Sequence, residues 1–81
     1  TRHHRVTREQ LSVRERMSSV LRTLQGGRFF EFSQLFDPTR GVMDLVVTLL
    51  ALLELAKETL IKLTQQASFA PIYVRLNDAS A

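Results

Sequence analysis

The run LVVTLLALLELAK, Leu45 to Lys57, holds ten Leu, Val or Ala among thirteen residues. It restricts the fold more than any other part of the chain. A helix at the surface of a small domain shows one apolar face and one wet face. This one is apolar nearly all round, so its second face must be covered by a membrane, by the domain's own core or by a partner protein. Length excludes a membrane. A spanning helix needs about 20 mostly apolar residues, whereas Asp44 and Glu54 bracket nine uncharged ones and Lys57 and Glu58 follow directly.

With 81 residues, the chain is one small domain or a piece of a longer protein. A domain of this size buries only about 60% of its unfolded surface, which leaves its core little to spare. The absence of Cys removes disulfides and thiolate metal sites and agrees with a reducing compartment. The N-terminal TRHHRVTRE is polar and basic, unlike a signal peptide. The net charge of +3 is uneven: seven Arg against Glu9 and Glu15 in residues 1–28, then four cations against six acids in residues 29–81. The basic end is able to touch nucleic acid or an acidic protein surface, although a solvated helix face accounts for most of these arginines.

Residues 1–5 read as a linker remnant or a disordered tail and residues 77–81 as a polar tail, with the domain between them at 6–76. Val6 to Gln10 alternate loosely and suggest a short edge strand. Ser12 and Glu15 have the spacing of a capping box, and Val13, Met17, Val20, Leu21 and Leu24 then recur at helical spacing up to Gly26-Gly27. Phe29, Phe30, Phe32, Leu35 and Phe36 cluster around a short second helix, Ser33 to Phe36, and Asp37-Pro38-Thr39-Arg40-Gly41 is a turn. The third helix runs from Val42 to Lys57 or Glu58. A wheel at 100° per residue puts Val42, Leu45, Val46, Leu49, Leu52, Leu53 and Ala56 on the expected core face. Asp44, Val47, Thr48, Ala51, Glu54 and Leu55 lie on the reverse face, with Leu50 on the border. Leu60–Thr64 and Pro71–Leu76 alternate and form a β-hairpin, with Pro71 at a strand start where its missing donor is tolerated. Phe69, in the loop between them, is expected to fold back onto the aromatic cluster. The fold class is therefore α+β: a short N-terminal strand, three helices and a C-terminal hairpin, the plan of a winged helix.

Little in this inventory supports catalysis. The only histidines, His3 and His4, sit side by side near the N-terminus, without the further ligand a metal site needs. Gly26-Gly27 follows a helix instead of opening one, so it is no phosphate loop. No metal or cofactor is implied. DNA reading by the third helix is disfavoured as well, because Asp44, Thr48 and Glu54 offer phosphates no positive charge. A protein partner is left as the cover for the second face. The alternative is a DNA-binding winged helix that uses the basic N-terminal region.

FSQLF (Phe32, Ser33, Leu35, Phe36), the LALLEL core of Leu50 to Leu55, and the hairpin residues Leu63, Gln65, Phe69 and Ile72 together resemble the C-terminal winged-helix domain of bacterial kleisins, the family of segregation and condensation protein A. The preceding SVRERM is similar to that family's first helix, and the resemblance covers roughly residues 6–76. Many relatives carry acids after the hairpin glutamine and a glycine after the phenylalanine, where this chain has Gln66, Ala67 and Ala70. The resemblance implies a non-enzymatic module for chromosome condensation and segregation, in the cytoplasm at the nucleoid. Such a domain docks on the cap side of an SMC ATPase head, while an accessory subunit binds elsewhere in the whole protein. DNA contact is then weak or indirect, and no membrane is involved. The contacts expected for this chain are Val47, Leu50, Ala51, Glu54 and Leu55 on the third helix, with Ile72 and Val74 on the last strand.

Overall fold

The computed structural model describes the backbone of residues 8–77 and the side chains of residues 12–77. The suggested linker at 1–5, both histidines, and Val6 and Thr7 of the suggested strand lie outside the described residues, as do residues 78–81. The element order is α1 (Arg8–Thr23), β1 (Phe30–Glu31), two 3-10 turns (Phe32–Gln34 and Pro38–Arg40), α2 (Val42–Lys57), β2 (Ile61–Gln65) and β3 (Ile72–Leu76). The described residues form a small α+β domain with two α-helices and one three-stranded antiparallel sheet of order β1-β3-β2.

Two departures from the sequence reading concern the first half. Arg8 to Gln10 are helical, not extended, so α1 begins at least four residues before Ser12 and the Ser12–Glu15 pair lies inside the helix. Glu, Gln, Arg and Leu are all good helix formers, and a loose alternation without an apolar partner strand does not override that preference. The expected second helix is only the 3-10 turn Phe32–Gln34. Pro38 disfavours helical backbone at the residue before it, and Asp37 is extended with φ −109° and ψ 109°. The segment between β1 and Asp37 is then too short to repay the nucleation of an α-helix.

α2 has the bounds expected of it and ends in a Schellman motif. Thr59 N–H donates to Ala56 O and Leu60 N–H to Leu55 O, each at 2.9 Å. The left-handed position of that motif is held by Thr59, φ 60°, where glycine is usual. The hairpin also forms as expected. Lys62 faces Arg75, Leu63 faces Val74 and Thr64 faces Tyr73, while Phe30 pairs Val74 from the other side. β3 is thus the central strand. β2 and the two-residue β1 are the edge strands, and Tyr73 and Val74 have neighbours on both sides. Asn77, assigned to the tail, ties the chain back: its amide N–H donates to Leu60 O and its side chain to Thr59 O.

The core is formed by Val20 and Leu24 of α1, Leu52 and Leu55 of α2, Ile61 of β2 and Val74 of β3. Phe30, Phe32 and Leu35 close it from the side, and the Phe32 and Phe36 rings meet at 5.2 Å between centroids. Phe69 does not join them. It is fully exposed at the tip of the hairpin loop.

Candidate functional site

α2 is apolar on two sides, but the sides are exchanged relative to the wheel reading. The buried residues are Asp44, Val47, Thr48, Ala51, Leu52 and Leu55. Val42, Val46, Leu49, Leu50 and Leu53 are exposed together with Met43. Of the expected core face, only Leu52 is fully enclosed, with Leu45 and Ala56 half-buried. The cause lies in α1. Val47, Thr48 and Ala51 are short, so they let a second helix approach closely, whereas a row of leucines would hold it away.

Two polar residues of the inner face become buriable because α1 supplies their partner. The Arg16 guanidinium donates from Nη2 to Asp44 Oδ1 at 2.7 Å and from Nη1 to Thr48 Oγ1. Asp37 N–H donates to the other Asp44 oxygen at 2.9 Å, and Thr48 Oγ1 donates to Asp44 O at 2.8 Å. Arg40 lies 3.9 Å from Asp44 Oδ1. With only 7% of its surface exposed, Asp44 nevertheless stays a carboxylate. The Asp37 amide first, and then Arg16, hold its pKa below the ordinary value. This network ties α1, the second 3-10 turn and α2 into one unit and fixes the roll of α2 about its axis. An open hollow of about 290 Å³ beside it is lined by Ser19, Thr23 and Gln34 as well as Arg16 and Asp44. The charged groups at its wall already engage one another.

The expected contact residues are therefore divided. Leu50 is exposed and Glu54 half-buried on α2, and Ile72 is half-buried on β3. Val47, Ala51, Leu55 and Val74 are buried in the domain's own core, so they support the outer face from behind and do not reach past it. The residues missed by the wheel reading are Val46, Leu49 and Leu53. Their spacing is visible in the sequence, but their carbon content points to the interior. At the C-terminal end of the stripe, a hydrogen bond with Glu54 raises the pKa of Glu58, and Lys57 lies exposed between them.

What this face can do chemically is bury itself. Four half-exposed aliphatic side chains at i, i+3, i+4 and i+7 from Val46 make a continuous strip on a rigid helix. Such a strip is available for burial against another apolar surface. Among the described residues, no three His, Cys, Asp or Glu gather as a metal-binding set. No helix among them is long and apolar enough to cross a membrane.

Comparison with known proteins places this geometry in a family context. The model of the family described as segregation and condensation protein ScpA matches residues 1–77. Segregation and condensation protein A of Xylella fastidiosa strain Temecula1 is 49% identical over 72 residues, which cover 89% of this chain and 24% of that protein. The protein of the same name from Coxiella burnetii is 44% identical over 72 residues, 89% of this chain and 27% of its own length. That of Listeria innocua is 44% identical over 75 residues, 90% of this chain and 30% of its own length. The chain thus spans about a quarter to a third of the length of these relatives.

Proposed function

Because the chain belongs to the segregation and condensation protein ScpA family, we propose that it is the module through which such a protein seats on the ATPase head of an SMC partner. The family name ties the chain to chromosome segregation and condensation, and the docking role is our reading of the surface. The observation that carries it is the exposed strip Val46, Leu49, Leu50 and Leu53 on a helix whose other side is fully packed. Burying such surface is favourable by about 25 cal/mol per Å², from which the entropy and desolvation costs of association are subtracted.

In this reading the domain is a winged helix whose middle helix has been shortened to two 3-10 turns. The order helix, strand, turns, helix, hairpin and the antiparallel sheet support that assignment. The contact set is Val46, Leu49, Leu50 and Leu53. Glu54 and Lys57 stand at its rim, and the free edge of β2 is open to strand addition. The cap side of the head is the docking surface, and the accessory subunit binds parts of the protein beyond this chain. The module is non-enzymatic and works without a cofactor, in the cytoplasm at the nucleoid.

Titration of the 81-residue chain with the cognate SMC ATPase head tests the reading. Leu50→Lys combined with Leu53→Lys should leave the circular dichroism spectrum and unfolding midpoint nearly unchanged and weaken binding at least about 30-fold, the scale of a lost hot spot. Unchanged affinity in a folded double variant would remove α2 from the interface.

A further inference from the structure

Among the described residues, Phe69 is the one large apolar side chain that the fold leaves wholly in solvent, and the loop around it is not slack. The Gln65 side-chain amide donates to Ala70 O at 2.9 Å, and Ala70 N–H donates to Ala67 O at 3.0 Å, so the chain is fixed on both sides of the ring. Phe69 itself has φ 66°, a left-handed backbone that residues with a Cβ rarely adopt and glycine or asparagine accepts readily. The turn would be easier to form with another residue. The backbone thus sets where the Phe69 side chain leaves the loop, and the ring itself stands clear of the domain.

We infer that Phe69, carried on a fixed turn, is an anchor that enters an apolar pocket on the protein docked against α2. The inference rests on the docking reading and adds a second, separate contact to it. A protein pocket is favoured over nucleic acid by charge. The twelve residues from Leu63 to Val74 are all uncharged, so the loop has no cation for the phosphates that would flank an inserted ring. An aromatic side chain has only two rotatable angles to fix when it seats, so it brings a large apolar area into a desolvated pocket at a low entropy cost.

The test uses the 81-residue chain and two variants, Phe69→Asn and Phe69→Leu. Each is titrated with the cognate SMC head and with a 20-base-pair duplex at low salt, and is followed by thermal unfolding and sedimentation. Phe69→Asn should weaken head binding about 30-fold while its unfolding midpoint stays level or rises, because asparagine suits the turn. Phe69→Leu should recover part of the affinity. Unchanged head affinity in Phe69→Asn overturns the inference, and so does a lowered midpoint, which would make the ring structural. A variant that loses duplex binding or self-association in place of head binding overturns it too. If Leu50→Lys with Leu53→Lys abolishes binding and Phe69→Asn does not, the anchor is wrong and the docking reading stands. If the parent chain does not bind the head, both fall.

Discussion

Leu52 and Leu53 are neighbours in sequence with opposite fates, and truncating each to alanine separates the two possible orientations of α2. Leu52 is 2% exposed and packs with Val20, Leu24, Leu55, Ile61 and Val74, whereas Leu53 is 52% exposed. Removing a fully buried leucine side chain loses its transfer free energy and leaves a cavity, about 3 kcal/mol in all. Half of Leu53 is already wet and its loss leaves no enclosed void, so Leu53→Ala should cost about 0.5 kcal/mol. In a domain whose total stability is about 4–12 kcal/mol, the first variant loses a large share of its folding free energy and the second almost none. Urea unfolding followed by circular dichroism at 222 nm measures both, at a protein concentration where sedimentation shows a monomer. Similar losses for the two variants would mean that both side chains are enclosed, and would refute the orientation of α2 and the docking face with it.

The remaining predictions address the polar network and the helix end. Asp44→Asn leaves Arg16 without its carboxylate and should destabilise the domain by about 3 kcal/mol, read as a fall in unfolding midpoint. The Asp44 carboxyl has a folded pKa below its ordinary value of 3.8, held there by the Asp37 amide and then by Arg16. Its stabilisation is therefore present in full above the ordinary carboxylate range and is lost as pH falls through the lowered folded value. Asp37 moves the same way through its bonds from the Thr39 hydroxyl and amide. Glu58, raised by its hydrogen bond with Glu54, moves oppositely and favours the fold slightly as it protonates. Melting curves from pH 7 to pH 2 should show the acid loss in the parent chain and a weaker one in Asp44→Asn; parallel profiles would contradict the network. Thr59→Gly relieves a left-handed β-branched residue and should raise stability by about 0.5 kcal/mol, or about 2–4 °C in midpoint; a lower midpoint would count against strain at that turn.

Much of the architecture was legible because local rules and the global fold agree. Gly41 and the Asp37-Pro38 turn mark where α2 starts, and the period-2 alternation of IKLTQ and IYVRL with Pro71 at a strand start marks the hairpin. The orientation of α2 was not legible. A helical wheel ranks faces by carbon content, and Val42, Val46, Leu49 and Leu53 outrank a face that carries Asp44 and Thr48. The decisive partner of those two polar residues, Arg16, is 28 and 32 positions away in sequence, beyond the reach of any local period. Once that pairing exists, the polar side is the one that α1 can cover. Phe69 was misplaced for a similar reason. Composition says that a phenylalanine belongs inside, but the geometry of a six-residue loop closed by Gln65 and Ala70 keeps it out.

The exchange of faces has a consequence for how this domain divides its work. A small chain in which one set of leucines served both core and partner would lose its fold with each change at the interface. On the proposed docking reading, the two tasks fall on different residues of one helix. Leu52, Leu55 and Ala51 hold α2 to the domain, and Asp44 with Arg16 and Thr48 fixes its rotation. Val46, Leu49, Leu50 and Leu53 contribute little to folding and are free to match another surface. Sites with no shared packing act almost independently on stability. Substitutions along the outer strip should therefore change affinity while leaving the unfolding midpoint in place, and substitutions along the inner one should do the reverse. A polar network on the packed side suits that division. An all-leucine inner face could slip by one residue position and present Glu54 and Lys57 to the partner. The Arg16–Asp44 pair is satisfied in only one rotation of α2, the one that turns the strip outward.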